Sequence, residues 1–309
     1  MNALTASFVL LSAACLSPWV SPPLALILGI AFALLLKFEP PPSFRMRHLT
    51  KVLLQASVVG LGFKMNLRQV VRAGLDGFAY TGLSIAFALT LGWLLGRLFK
   101  TGRTASYLLS VGTAICGGSA IAAVGPVLGA DQEEMSVALA AVFLLNAIAL
   151  LVFPPIGRAL GLGQGQFGLW AALAIHDTSA VVGASLKYGA GALAVATTVK
   201  LARALWIVPI SLGTAARKRS NARVHYPWFI LLFGLAAGAA TLLPSFSAAW
   251  TMIDAAAKSG LTLTLFWIGA GISRGALRRA GPGLLAQAAL LWVAVASGSL
   301  ALIRAGVIR

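Results

Sequence analysis

Long apolar runs separated by short polar or basic joints make up the chain, and strand-period alternation is nowhere sustained. The main runs are Leu4 to Leu16, Leu24 to Leu36, Val52 to Phe63, Phe78 to Leu95, Met135 to Pro154, Gly191 to Leu212, Trp228 to Leu243, Leu261 to Ile272 and Leu284 to Ile303. Several reach the length of about 18 residues that lets a helix cross a hydrocarbon core of roughly 30 Å. The first two are short for full spans, so they read as tilted, interfacial or paired as a helical hairpin. The pattern predicts an all-α polytopic membrane protein with about 10–11 membrane segments in a single transmembrane domain, 1–309.

Two further apolar stretches are interrupted at their centres. Ser110 to Gly129 is broken by Cys116-Gly117-Gly118-Ser119, and sixty residues later Ala174 to Tyr188 carries His176-Asp177-Thr178 in the corresponding place. Ile115 matches Ile175, and Ser119-Ala120 match Ser179-Ala180. Unwound backbone survives at membrane depth only where protein or a water-filled cavity satisfies it. A matched pair of broken helices meeting near the midplane is the usual pointer to a transporter's binding site. These core elements occupy about 105–129 and 168–188, and the pattern alone leaves open whether they cross the membrane or re-enter. A second echo lies at an offset of 207, pairing Gly62 with Gly269, Leu61, Met65 and Val70 with Ile268, Ile272 and Leu277, and Arg72-Ala73-Gly74 with Arg279-Ala280-Gly281. Counting spans from a cytoplasmic Arg217-Lys218-Arg219 loop places those two copies on opposite sides, which predicts inverted repeats.

Composition agrees: 59% of the 309 residues are hydrophobic and 10% charged, too little charge for a soluble domain of this length. The formal charge of +17 is scattered over short loops, where it sets topology and does not suggest nucleic-acid binding. Cys15 and Cys116 both lie in apolar runs and make no disulfide framework. Met1 to Cys15 lacks a basic flank, so it reads as a short span and not a cleaved signal.

The candidate chemistry gathers at the breaks. Gly117 and Gly118 permit unusual backbone angles and keep side chains away from a ligand, and a half-helix beginning near Ser119 offers N–H groups and a hydroxyl to an anion. Thr178 and Ser179 offer the same in the second copy. Asp177, ionisable at membrane depth, is expected to balance charge, couple transport or cap the half-helix, and His176 beside it could titrate near neutral pH. Lys200 and Arg203 share one helix face near the middle of a span, where two cations need Asp177 or a bound anion, unless the span is shifted and both snorkel to an interface. Asn146, midway along its own span, is placed to bond a ligand or a neighbouring helix. No GxSxG, Walker, HExxH or zinc-spaced Cys/His motif occurs, so neither an enzyme nor a cofactor beyond Na⁺ or H⁺ coupling is expected.

The blocks GTAICGGSAIAAVGPV (Gly112 to Val127), IHDTSAVVGAS (Ile175 to Ser185), VKLARALWIVPI (Val199 to Ile210) and GLGFKMNL (Gly60 to Leu67) resemble the family of proposed sulfate exporters, the YeiH-type inner-membrane proteins. The resemblance covers nearly the whole chain. It implies the wider sodium/proton antiporter and bile-acid-symporter fold, with inverted repeats and elevator-type motion. In the better-known members of that group the two broken helices lie farther apart in sequence. The resulting expectation is a homodimeric secondary transporter of the bacterial inner membrane that moves a small oxyanion such as sulfate or sulfite. The alternatives are a monovalent cation/proton antiporter with Asp177 as carrier, and a membrane binding protein or sensor that transports nothing.

Overall fold

The computed structural model describes residues 3–17, 19–36, 44–218, 228–271 and 274–308. Side chains at 3, 34, 44–47, 69–70, 72–79, 218, 274 and 276–277 lie outside that description. So do the basic loop beyond Lys218 and the parts of the second echo at Val70, 72–74, Ile272 and Leu277. All regular structure among the described residues is helical: α1 (Ala3–Ala14), α2 (Pro22–Leu35), α3 (Phe44–Gly62), α4 (Leu67–Leu98), α5 (Arg103–Ala114), α6 (Gly118–Leu128), α7 (Gln132–Ala159), α8 (Gln164–Ala174), α9 (Thr178–Tyr188), α10 (Ala190–Ala204), α11 (Ile207–Lys218), α12 (Trp228–Leu242), a 3₁₀ turn (Pro244–Phe246), α13 (Ser247–Ala270) and α14 (Arg274–Arg304).

Four stretches are long and apolar enough to span a bilayer unaided: Tyr80–Leu98, Gln132–Ala159, Ala190–Arg217 and Arg278–Arg304. The α12 and α13 pair, bent by 99° at the 3₁₀ turn, makes a fifth candidate. The chain is a multi-pass, all-α membrane protein. Two boundaries differ from the sequence pattern. Helix α13 begins at Ser247 instead of Leu261, because Asp254 and Lys258 pair across one turn at 2.7 Å and leave the polar-looking half helical. The Gly191 to Leu212 run divides at Leu205-Trp206, since Pro209 has no N–H to give the Leu205 carbonyl and continue the ladder.

Two compact units emerge, Met1–Arg72 with Trp228–Ser273, and Ala73–Pro227 with Arg274–Arg309. In the first, α13 packs on α2 and α3, and α3 packs on α12. Its close approaches are made at glycines, where helix backbones can touch. A Cβ on Gly269 would lie 2.6 Å from the Leu26 carbonyl oxygen, and one on Gly62 would lie 2.8 Å from that of Phe233. Gly62 and Gly269 are 207 residues apart, and so are Leu26 and Phe233. The two contacts are therefore mates under one exchange, and the same offset lays α2 on α12, α3 on α13 and α4 on α14. The repeat glimpsed around Gly62 extends over three helices. Helix α1 adds to this unit through Phe8, whose ring centroid lies 5.4 Å from that of Phe266 in a cluster with Cys15, Ala25 and Leu263.

The second unit is organised along α7, whose 28 residues measure about 42 Å at helical rise. Helices α5 and α6 fold back on each other, so that a Cβ on Gly112 would sit 2.9 Å from Ile121 Cδ1. Gly112 and Gly118 lie beside Val142 and Phe143 of α7, while Gly125 lies against Met135 near its start. This first hairpin therefore runs up and back along the N-terminal half of α7. Helices α8 and α9 do the same on the C-terminal half. Phe167 and Tyr188, at opposite ends of the pair, stack at 3.7 Å, and both approach Gly157. Tyr188 donates to the Leu162 carbonyl at 2.6 Å, and Arg158 donates to that of Lys187 at 2.9 Å. Both broken stretches are hairpins, entered from opposite ends of α7. Because α7 crosses once between them, the second hairpin is inverted relative to the first.

Candidate functional site

The hairpin tips meet beside the middle of α7. A Cβ on Gly117 would lie 3.3 Å from Asp177 Cα and 3.3 Å from Val142 Cγ1. One turn further along α7, Asn146 Oδ1 accepts from the backbone N–H groups of His176 (3.0 Å) and Asp177 (3.2 Å). Four half-helix ends converge here: the carbonyl ends of α5 and α8, and the amide ends of α6 and α9. Each end exposes several backbone groups without partners in its own helix, and each carries about half an elementary charge.

The carbonyl ends are fully met. At α8, Ala171 O accepts from Ile175 N, and Lys200 Nζ donates to Ile175 O at 2.7 Å and to Ala172 O at 3.4 Å. Arg203 Nη1 donates to Leu173 O at 2.7 Å, and Trp292 Nε1 donates to Ala174 O at 3.1 Å. At α5, Ile115 N and Gly117 N serve Val111 O and Gly112 O, while Arg203 Nε serves Ala114 O at 2.6 Å and Nη2 reaches Thr113 O at 3.5 Å. Arg203 thus bridges the two carbonyl ends, a task suited to a planar fork of donors. Both Lys200 and Arg203 are 0% exposed, so neither snorkels.

The amide ends differ from each other. The Asp177 carboxylate caps α9, accepting from Ser179 N at 2.9 Å and from Ser179 Oγ. In the first copy Gly117 stands where Asp177 stands in the second, with φ 62°, a conformation that favours glycine, and no side chain caps α6. The Cys116 thiol faces the Ala120 amide. Among the described residues, three of the four ends thus meet a charged side chain and the fourth does not.

The sequence-derived candidates assemble here. Gly117, Gly118 and Ser119 form the α6 end, and Thr178 and Ser179 the α9 end. Asp177, His176 and Asn146 join the second tip to α7, and Lys200 and Arg203 close the carbonyl ends. Ser119 is exposed and Gly118 partly so, whereas the second tip is buried throughout. The His176 ring nitrogens, Asn146 Nδ2 and Thr113 Oγ1 are buried without a hydrogen-bond partner among the described residues. The cations' partners are backbone carbonyls and not Asp177. Trp292 and Thr113 were not legible as site residues: a tryptophan in an apolar span reads as lipid-facing, and a helix-terminal threonine carries no pattern.

Residues 3–288 match the family described as Conserved hypothetical protein 698. A UPF0324 membrane protein of Bacteroides thetaiotaomicron is 51% identical over 293 residues, covering 93% of this chain and 87% of that one. A UPF0324 membrane protein of Geobacter sulfurreducens is 49% identical, over 94% of this chain and 93% of its own length, and one of Bdellovibrio bacteriovorus is 47% identical, over 97% and 94%. No solved structure matches the chain. By sequence along nearly its whole length, this multi-pass helical protein belongs to the Conserved hypothetical protein 698 family, alongside bacterial UPF0324 membrane proteins.

Proposed function

We propose that this protein is a secondary transporter of a small oxyanion, and that the anion binds at the amide end of α6. The carrying observation is the uncompensated fourth helix end. In the second copy a carboxylate bonds Ser179 N and Oγ. In the first, Ser119 supplies the equivalent amide and hydroxyl, Gly117 stands in the place of Asp177, and no carboxylate among the described residues caps the end. A tetrahedral or trigonal oxyanion is the chemistry that would complete the pattern. Arg203 and Lys200, anchored on the carbonyl ends beside it, favour an anion over a cation at this crossing. Sulfate or sulfite is the substrate class suggested by the resemblance to proposed sulfate exporters. Export driven by a Na⁺ or H⁺ gradient, elevator-type alternating access, a homodimer and the bacterial inner membrane belong to the same proposal. The commitment of Asp177 to Ser179 weighs against the reading in which it carries Na⁺ or H⁺. Proteoliposomes loaded with labelled sulfate or sulfite test the assignment. Counterflow should be saturable in the wild type and fall at least about tenfold in Ser119→Ala, the loss of one hydrogen-bond donor to a charged ligand. Equal flux in both, or flux of neither anion under any gradient, would overturn it.

A further inference from the structure

At the foot of the first hairpin a cleft of about 340 Å³ opens between the α4–α5 joint, α7 and the start of α14. The span Tyr80–Leu98 ends at this level, and Gln132–Ala159 and Arg278–Arg304 begin there, so the cleft lies at a membrane–water boundary. Arg97, stacked over Trp93 at 4.2 Å, marks the same level, as interfacial aromatic belts do. Phe99, Val137 and Leu284 give the cleft an apolar floor, and Lys100 and Arg279 give it a cationic rim. Lys100 is held at φ 53°, in the left-handed region that few lysines adopt. Helix α14 breaks at Gly281 (φ 68°, ψ 163°) and restarts at Pro282, which turns the positive end of its long segment toward the cleft. Glu133, with Asp131 and Glu134 at the start of α7, lies on this side, its Oε1 3.6 Å from Arg279 Nε. With both side chains more than half exposed, that pair is weak and replaceable. At the foot of the second hairpin Phe167 and Tyr188 stack on each other at 3.7 Å.

The geometry points to a binding site for the phosphate headgroup of an anionic phospholipid, with Lys100 and Arg279 on the phosphate and the acyl chains leaving over the apolar floor. Basic recesses between spans at a membrane surface hold such headgroups. The lipid would brace the foot of the hairpin whose tip carries Ser119, although its binding does not depend on the transport reading. Inorganic phosphate shares the headgroup's chemistry, and the apolar floor favours the lipid.

The test is native mass spectrometry of the full-length protein in detergent. The protein is offered equal phosphatidylglycerol and phosphatidylcholine with matched acyl chains, with and without millimolar inorganic phosphate. The wild type should retain phosphatidylglycerol over phosphatidylcholine by at least about fivefold, from two cations near the headgroup. The Lys100→Gly/Arg279→Ala double variant should fall to parity; glycine suits the backbone at position 100, and both side chains are exposed, so folding is spared. Lys100→Arg/Arg279→Lys and Arg97→Ala should each keep the preference. Parity in the wild type, an intact preference in the double variant, or its loss in Arg97→Ala would overturn the site. Displacement of the lipid by inorganic phosphate would assign the cleft to free phosphate instead.

Discussion

At the scale of single residues, Arg203 is the hinge of the account. Its guanidinium serves carbonyls on both α5 and α8, so Arg203→Met leaves three buried acceptors without it, at about 1–3 kcal/mol for each one orphaned. Arg203→Lys keeps a cation but has no fork to bridge two helix ends. Thermal unfolding in detergent should therefore rank wild type above Arg203→Lys, and Arg203→Lys above Arg203→Met. Equal midpoints for all three would mean that the bridge contributes nothing. Gly117→Ala forces a side chain into φ 62° and against Asp177, for a cost of about 1–3 kcal/mol, whereas Gly129→Ala meets no neighbouring atom and pays only for its φ of 70°. Thermal unfolding should show the larger loss for Gly117→Ala, and the reverse order would contradict the tip contact. The cations were legible in the sequence as charges buried in a span. Their partners were not, because backbone carbonyls leave no mark in a sequence. Asp177 was legible as a cap from the Thr-Ser that follows it.

Among the elements, the two hairpins carry the topology. Two arms of 12 and 11 residues make either one crossing of about 34 Å end to end or one re-entrant loop, so length alone could not choose between them. The choice is made by packing that no periodicity encodes: Gly112 on Ile121, and Phe167 on Tyr188. The breaks themselves were legible because Gly-Gly and His-Asp stand out in apolar surroundings. In a variant with Cys15 and Cys116 replaced by serine, single cysteines at Gly102 and Gly129 should react with a membrane-impermeant thiol reagent from one side of the bilayer. Cysteines at Gly161 and Gly165 should react from the other. If Gly102 and Gly129 label from opposite sides, the first stretch crosses and the hairpin reading is wrong. The start of α13 was missed for a related reason. Asp254 and Lys258 look like a solvated loop in sequence and are a paired turn of helix in the structure.

For the whole molecule, the repeats join two levels. Within the first unit, Gly62 against Phe233 and Gly269 against Leu26 are one contact made twice, so Gly62→Val and Gly269→Val should lower the unfolding midpoint by similar amounts. Gly234→Val, on the same α12 with no atom nearby, should lower it much less, and a Gly234 loss as large as theirs would count against the repeat. The sequence betrayed this repeat only around Gly62, because helix crossings require smallness, not identity, along most of α2 and α12. In the second unit the repeat is informative where it fails, at Gly117 against Asp177. The α9 end carries the Asp177 carboxylate, and the α6 end, with Gly117 in that place, has no side-chain cap. Ser119→Asp gives α6 a carboxylate of its own, near its N-terminus, where a negative charge stabilises a helix. Flux and unfolding are to be measured together on that variant. If the oxyanion binds there, Ser119→Asp should unfold at or above the wild-type midpoint and lose oxyanion counterflow. Wild-type flux in a folded Ser119→Asp protein would contradict it.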